Sequence, residues 1–331
     1  MPLGVLFSTP VWGPGPVLFL SACLLGLWVR ARQRIQPWDL QRCPTDLTGK
    51  TAVVTGANSG IGKVVCQELA RRGARVVLAC RDPERGRRAL ADIQAASGSG
   101  RLLLGELDVS SLASVRRFVQ WLLQEEPEIH LLVNNAAISG ILPKTLTPEG
   151  LDVTFATNYI GPFLLTNLLR GALQRAGSAR VVNVSSYRQA FGFIDEQHLT
   201  GAGRPLRPKE IYDCTKLLLT SFSAELARRL DGTGIAVNSV EPGIVYTDIM
   251  KHYSWFYRFL FWLSSFFIKS PRHGAIPVLY LSLARELDGI SGKHFNSSCV
   301  VSLPAEAAQD PHTARSLWSA TVRLTSLDKM D

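Results

Sequence analysis

Tyr212 and Lys216 stand four residues apart, a spacing that puts both side chains on one face of a helix. A free phenol, with a pKa of about 10, is a poor base at neutral pH. A lysine cation one turn away favours the phenolate, so the pair has the makings of an acid/base device. Tyr/Lys pairs at this spacing also occur on solvated helices, and the pair gains meaning only from its surroundings. A second chemical feature is the run Thr55-Gly56-Ala57-Asn58-Ser59-Gly60-Ile61-Gly62. Glycines at 56, 60 and 62 remove Cβ atoms that would block a dinucleotide backbone. A helix starting there would aim its free N–H groups and positive dipole end at a pyrophosphate. Gly56, Ser59, Gly60, Ile61 and Gly62 are the candidate contacts of that turn.

These residues need a scaffold, and the chain supplies a pattern for one. From Lys50 onward, apolar runs alternate with helical periodicity. Residues 51–55, 76–79, 131–133, 181–184 and 235–240 read as strands, in continuous runs that suit a parallel sheet buried on both faces. Residues 63–72 and 112–123 read as helices between them. Repeated βα units predict an α/β fold, a doubly wound and mostly parallel Rossmann-like sheet. The first strand runs straight into the glycine turn, the context that gives such a turn its specificity. The second ends Leu78-Ala79-Cys80-Arg81. Cys80 stands where an acidic residue would hold the ribose 2′-hydroxyl of NAD(H), and Arg81 can fork a 2′-phosphate. Asp82 competes for the first role but lies further along. The pattern favours NADP(H) over NAD(H).

Of the 331 residues, 46% are apolar and 19% charged, a globular balance. The net charge of +9 could meet nucleic acid, an anionic membrane or only water. Basic residues crowd between Arg71 and Arg88 without the aromatics that a single-strand platform needs, which argues against nucleic acid. Cys23, Cys43, Cys66, Cys80, Cys214 and Cys299 show no metal-ligand or C-x-x-C spacing and read as reduced thiols. No metal site is expected.

No charged side chain occurs from Met1 to Val29; Arg30, Arg32 and Arg34 follow. A signal peptide carries its positive charges before the apolar run, not after. The order here favours an uncleaved anchor with the arginines on the cytoplasmic side, although Pro14 and Pro16 weaken its first turn. Residues 1–34 are therefore read as an anchor with a basic flank and 35–48 as a connector. Residues 49–300 form the Rossmann-like domain, with a lid at 250–272, and 301–331 a C-terminal extension. Within the lid, the aromatic stretch 255–268 fits either a buried helix or an apolar cover touching the bilayer.

Taken in order, Thr55-Gly-x-x-x-Gly-x-Gly62, Asp108, Asn134-Asn135-Ala136, Asn158, Ser186, Tyr212-x-x-x-Lys216 and Pro242-Gly243 resemble the short-chain dehydrogenase/reductase family across about residues 48–300. The N-terminal run, the phrase Ala79-Cys80-Arg81 and the long Ser186–Tyr212 interval resemble its retinol dehydrogenase branch. The resemblance implies a catalytic set of Asn158, Ser186, Tyr212 and Lys216. Tyr212 would give or take the proton, and Lys216 would also hold the nicotinamide ribose. Ser186, rather than its neighbour Ser185, would hold the substrate oxygen, while Asn158 would anchor a proton-relay water. Asp108 would meet the adenine, Asn135 and Ala136 the adenosine ribose, and Pro242, Gly243 and Thr247 the nicotinamide and pyrophosphate. The family's usual glycine after Asn-Asn-Ala is Ala137 here. The function so implied is hydride transfer between NADP(H) and a lipophilic alcohol or carbonyl of retinol/retinal type. It would take place on an endoplasmic reticulum membrane with the domain in the cytosol. A steroid or other lipid-carbonyl reductase and a non-catalytic nucleotide-binding scaffold are the alternatives. The resemblance also allows a homodimer through helices flanking Tyr212.

Overall fold

The computed structural model describes residues 21, 24, 26, 27, 38–98, 100–139, 145–195, 206–245 and 268–329. Most of the anchor run and most of the lid therefore lie outside the described residues, as does Thr247. Among the described residues, no helix is long and apolar enough to cross a membrane.

Eight strands form one sheet in the order β3-β2-β1-β4-β5-β6-β7-β8. They are β1 Thr51–Thr55, β2 Arg75–Cys80, β3 Leu102–Glu106, β4 Leu131–Asn134, β5 Ala179–Val184, β6 Ile235–Val240, β7 His294–Phe295 and β8 Val301–Ser302. All neighbours pair in parallel except β7 and β8. The doubly wound expectation therefore holds, with a short antiparallel strand added at one edge. β1 is buried at every position. Val53 packs into one apolar layer while Ala52 and Val54 pack into the other, because successive side chains point to opposite faces. This two-sided burial is what a continuous apolar run encodes.

Helices α1 Gly60–Arg71, α2 Pro83–Ser97 and α3 Leu112–Glu125 follow the first three strands. The other helices used below are α4 Gly161–Leu168, α5 Pro208–Arg229, α6 Pro271–Leu283 and α7 Pro311–Leu324. Val65 of α1, Ile93 of α2 and Val278 of α6 belong to one apolar layer. Phe118 of α3, Phe163 of α4, Phe222 of α5 and Trp318 of α7 belong to the other. Several boundaries are chemically plain. The Asp82 carboxylate accepts from the N–H groups of Glu84 and Arg85, with Pro83 in the first turn of α2. The Ser111 hydroxyl accepts from Ser114 N–H at the start of α3.

Two flanking segments are part of the body. In the connector, Trp38 meets Tyr280 edge-on with ring centroids 5.3 Å apart. The Arg72 guanidinium donates to the carbonyls of Leu40, Cys43 and Thr45, and the Thr45 hydroxyl donates to Leu283 O at 2.6 Å. At the other end, Trp318 of α7 packs on Phe163 and Phe222, and Thr321 shares a 2.7 Å hydrogen bond with the buried Tyr159 hydroxyl. The segment read from sequence as an extension is thus folded onto α4 and α5. It covers part of the helix surface through which the resemblance allowed a homodimer.

Candidate active site

The order of the strands changes direction between β1 and β4, and a crevice opens beyond the carboxyl ends of the sheet there, where ligands of such folds bind. A cleft of about 640 Å³ occupies this position. Its walls include Gly56, Ser59, Gly60, Ile61, Arg81, Asp108, Asn135, Ala136, Ser186, Tyr212, Lys216, Pro242 and Gly243. Thirteen sequence-expected site residues thus converge from seven stretches of chain. Gly62 and Asn158 do not line it.

The glycine turn begins where β1 ends. Gly56 and Gly60 have φ of +65° and +55°, the left-handed region that a side chain disfavours. A Cβ on Gly56 would stand 2.9 Å from the Ala136 Cα, and one on Gly62 only 2.5 Å from Asn135 Nδ2 and from Gly56 O. Two of the three glycines therefore serve close packing between the turn and the Asn135-Ala136 segment, not only an approach by a ligand. The sequence reading assigned Gly62 to cofactor contact; the structure puts it behind Asn135. Asn135 fastens the turn by donating from Nδ2 to Thr55 O at 2.9 Å, while its own N–H donates to the Thr55 hydroxyl.

Helix α1 starts at this turn without a side-chain cap, since the Ser59 hydroxyl accepts nothing from the helix and no acidic residue stands in the first turn. Its leading N–H groups and positive dipole end are available to an anion. Arg81 is exposed at the adjoining wall. The Cys80 thiol is buried, which pushes its pKa up to about 11 against the opposing backbone N–H groups of Ala57 and Asn58. With the thiol buried, the charged groups on this wall of the cleft are Arg81 and Asp82, with Arg85 beyond them. Asp82, the competing carboxylate, is occupied in capping α2. The residues present therefore fit a dinucleotide, with both Arg81 and Asp82 on the wall of the cleft beside the glycine turn. Arg85, one turn into α2, and Asn58 also line the cleft. Sequence reasoning missed both: Arg85 lay in the basic run that was weighed only against nucleic acid.

The reacting end is built by α5 and the residues after β5. Lys216 is 2% exposed and donates from Nζ to Val184 O at 2.8 Å. Its ammonium lies 5.7 Å from the Tyr212 ring centroid. Burial pushes the lysine down to about 7, because the low-dielectric interior disfavours its charge. The adjacent serines separate cleanly. Ser185 is buried, with its hydroxyl donating to Lys216 O at 3.1 Å and paired with Thr220. The Ser186 hydroxyl accepts the Arg188 N–H at 3.2 Å as it caps a short 3₁₀ turn, Tyr187–Phe191. Its own hydrogen is left for another acceptor.

Asn158 sits behind the cleft in a π-helical turn, Ala156–Ile160, leading into α4. Its Nδ2 donates to Ile138 O and to the Thr215 hydroxyl, and its Oδ1 accepts from Ile138 N–H. Thr215 in turn donates to Tyr212 O at 2.8 Å. The Asn158 side chain thus ties the loop after β4 to the Tyr212 turn. π-turns inside helices are frequent at functional sites, and no sequence period announces one.

Comparison with known proteins agrees with this geometry. A family model described as short chain dehydrogenase matches residues 50–255. The chain is 41% identical to retinol dehydrogenase 11 of Homo sapiens over 281 residues, covering 85% of this chain and 87% of that protein. It is 39% identical to human retinol dehydrogenase 14 over 331 residues, covering 94% and 97%. Among solved structures, an uncharacterised protein from Mycobacterium paratuberculosis superimposes with a TM-score of 0.69 at 30% identity, over 87% of this chain and 97% of that one. The 3-ketoacyl-(acyl-carrier-protein) reductase of Brucella melitensis, solved with NADH, gives 0.59 at 25% identity, over 77% and 100%.

Proposed function

The chain belongs to the short chain dehydrogenase family, and from that membership we propose an NADP(H)-dependent oxidoreductase of lipophilic alcohols and carbonyls, of the retinol/retinal kind. The observation that carries this reading is the convergence of Ser186, Tyr212 and Lys216 on the same cleft as the uncapped start of α1. When bound, NADP(H) supplies or accepts the hydride, and the protein's part is to orient and to move the proton.

In the reducing direction, Ser186 donates its free O–H to the substrate oxygen and Tyr212 delivers a proton to the same atom. In the oxidising direction, the Tyr212 phenolate takes the proton of the alcohol. The Lys216 ammonium, buried and, among the described residues, without a carboxylate hydrogen-bonded to it, favours that phenolate. The α1 start would hold the pyrophosphate, and Arg81 with Arg85 the 2′-phosphate. Ile138, Val184 and Val245 give the cleft apolar wall surface, which supports a substrate poor in polar groups. The uncharged run before Arg30 supports a membrane anchor with the domain on the cytosolic side.

The test is oxidation of NADPH and NADH by purified protein, offered retinal, ketosteroids and long-chain aldehydes in turn. NADPH should be consumed with retinal at a kcat/KM at least about tenfold above NADH, one phosphate–arginine contact being worth that much. Tyr212→Phe should lower kcat by about a hundredfold or more. Turnover of ketosteroids alone would replace the retinoid assignment, and no turnover with any substrate would remove the enzyme reading.

A further inference from the structure

Ser186 and Tyr212 reach the cleft from separate elements, one from the turn that follows β5 and the other from the first half of α5. Proton delivery to an oxygen held by the serine requires the two hydroxyls to keep one separation. Two residues join the elements directly. The Arg188 guanidinium donates from Nε to Asp213 Oδ1 at 2.6 Å and pairs through its second arm with Asp213 Oδ2. This is a bidentate fork, the ion pair with the strictest geometry. The side chains are 16% and 5% exposed, so the fork is largely shielded from water. Arg188 follows Ser186 by two residues and its N–H is the group bonded to the Ser186 hydroxyl. Asp213 is the residue after Tyr212. One pair thus reaches within two residues of both hydroxyls.

The surroundings keep the fork in place. The Phe191 ring lies under the Arg188 guanidinium, 4.7 Å from its carbon to the ring centroid. Gly192 passes so close to Asp213 that a Cβ there would stand 2.6 Å from Asp213 O. On its other side the turn is held by Gln189, whose Oε1 accepts from Ala305 N–H at 2.9 Å. Burial pushes the Asp213 carboxyl up, with the hydrogen bond and charge of Arg188 opposing it. A buried ion pair is a poor source of net stability, because desolvation offsets its attraction. Its geometric exactness is a better account of why it stands here.

We propose that the Arg188–Asp213 pair is a positioning device that clamps the Ser186 turn to the Tyr212 helix and sets the separation of the two hydroxyls. The inference rests on the oxidoreductase reading for its catalytic consequence, and on the fork alone for its structural one.

The experiment compares wild type with Arg188→Met/Asp213→Met, which removes both charges together and leaves neither stranded, a replacement that buried pairs tolerate. Three measurements are made on each: thermal unfolding, amide hydrogen exchange over residues 186–192 in the free protein, and steady-state kinetics with NADPH. The clamp predicts an unfolding temperature close to wild type, exchange in the turn faster by about tenfold or more, and kcat lower by about tenfold or more at an unchanged KM for NADPH. Asp213→Asn keeps an acceptor for the guanidinium and should fall between the two. Unchanged exchange, or faster exchange with wild-type kcat, overturns the proposal. A kcat loss explained by the unfolded fraction does so too. If wild type turns over none of the substrates, the oxidoreductase reading fails, while the exchange result still decides whether the pair holds the turn.

Discussion

At the level of single residues, Lys216 couples chemistry to stability. Its folded-state pKa, near 7, lies below the ordinary lysine value of 10.5. Between those limits the unfolded chain binds the proton that the folded chain has shed, so folding stability from this residue rises with pH across about 7 to 10.5 and is flat below. Lys216→Met removes that dependence and also leaves Val184 O without its donor. The unfolding temperature of the variant, minus that of wild type, should be most favourable to methionine at about pH 7 and decline steadily toward pH 10. Thermal scans of the cofactor-free proteins measure this directly, and a difference independent of pH would contradict the shifted lysine. Tyr212, Lys216 and Ser186 were legible in the sequence because their types and order are distinctive. The Arg188–Asp213 fork was not, since two charges 25 residues apart leave no period or spacing to read.

Among the elements, legibility followed burial. β1, β4, β5 and β6 announce themselves because strands covered on both faces are mostly apolar, although Asn183 interrupts β5 and Asn238-Ser239 interrupts β6. β7 and β8, two residues each, are too short to carry a pattern. The π-turn at Asn158 shares its composition with an ordinary helix, so only coordinates reveal it. The glycine turn was read correctly as to place and incompletely as to reason. Because a Gly62 Cβ would collide with Asn135 and Gly56 O, Gly62→Ala should lower stability by about 1–3 kcal/mol and weaken NADPH binding by displacing Asn135. Gly171, exposed in the helix Arg170–Arg175, meets only the end of Arg175 at 3.4 Å. Gly171→Ala should instead raise stability by up to about 1 kcal/mol. Urea titration of the two variants side by side reads the contrast, and equal effects would remove the packing account of Gly62.

Over the whole molecule, α7 extends the cohesion of the sheet beyond the stretch that the motifs span. Trp318 touches Phe163 and Phe222 and carries the Arg229 guanidinium 4.2 Å from its ring centroid. Trp318→Ala should cost about 3–5 kcal/mol and lower the melting of the entire domain in one transition, followed by calorimetry. A separate early transition would show α7 to be an independent appendage. The connector at the opposite end has a different consequence, one of reach. If residues up to Val29 are held in a bilayer, a free connector to Lys50 would let the domain range over about 70 Å, at roughly 3.5 Å per residue. Trp38 on Tyr280 and the carbonyls gripped by Arg72 shorten the leash to the stretch before Trp38, about 30 Å. Because substrate dissolved in a bilayer lies beneath every lateral position, only the height of the excursion counts; it falls roughly twofold, and the share of time the cleft spends at the membrane rises by about as much.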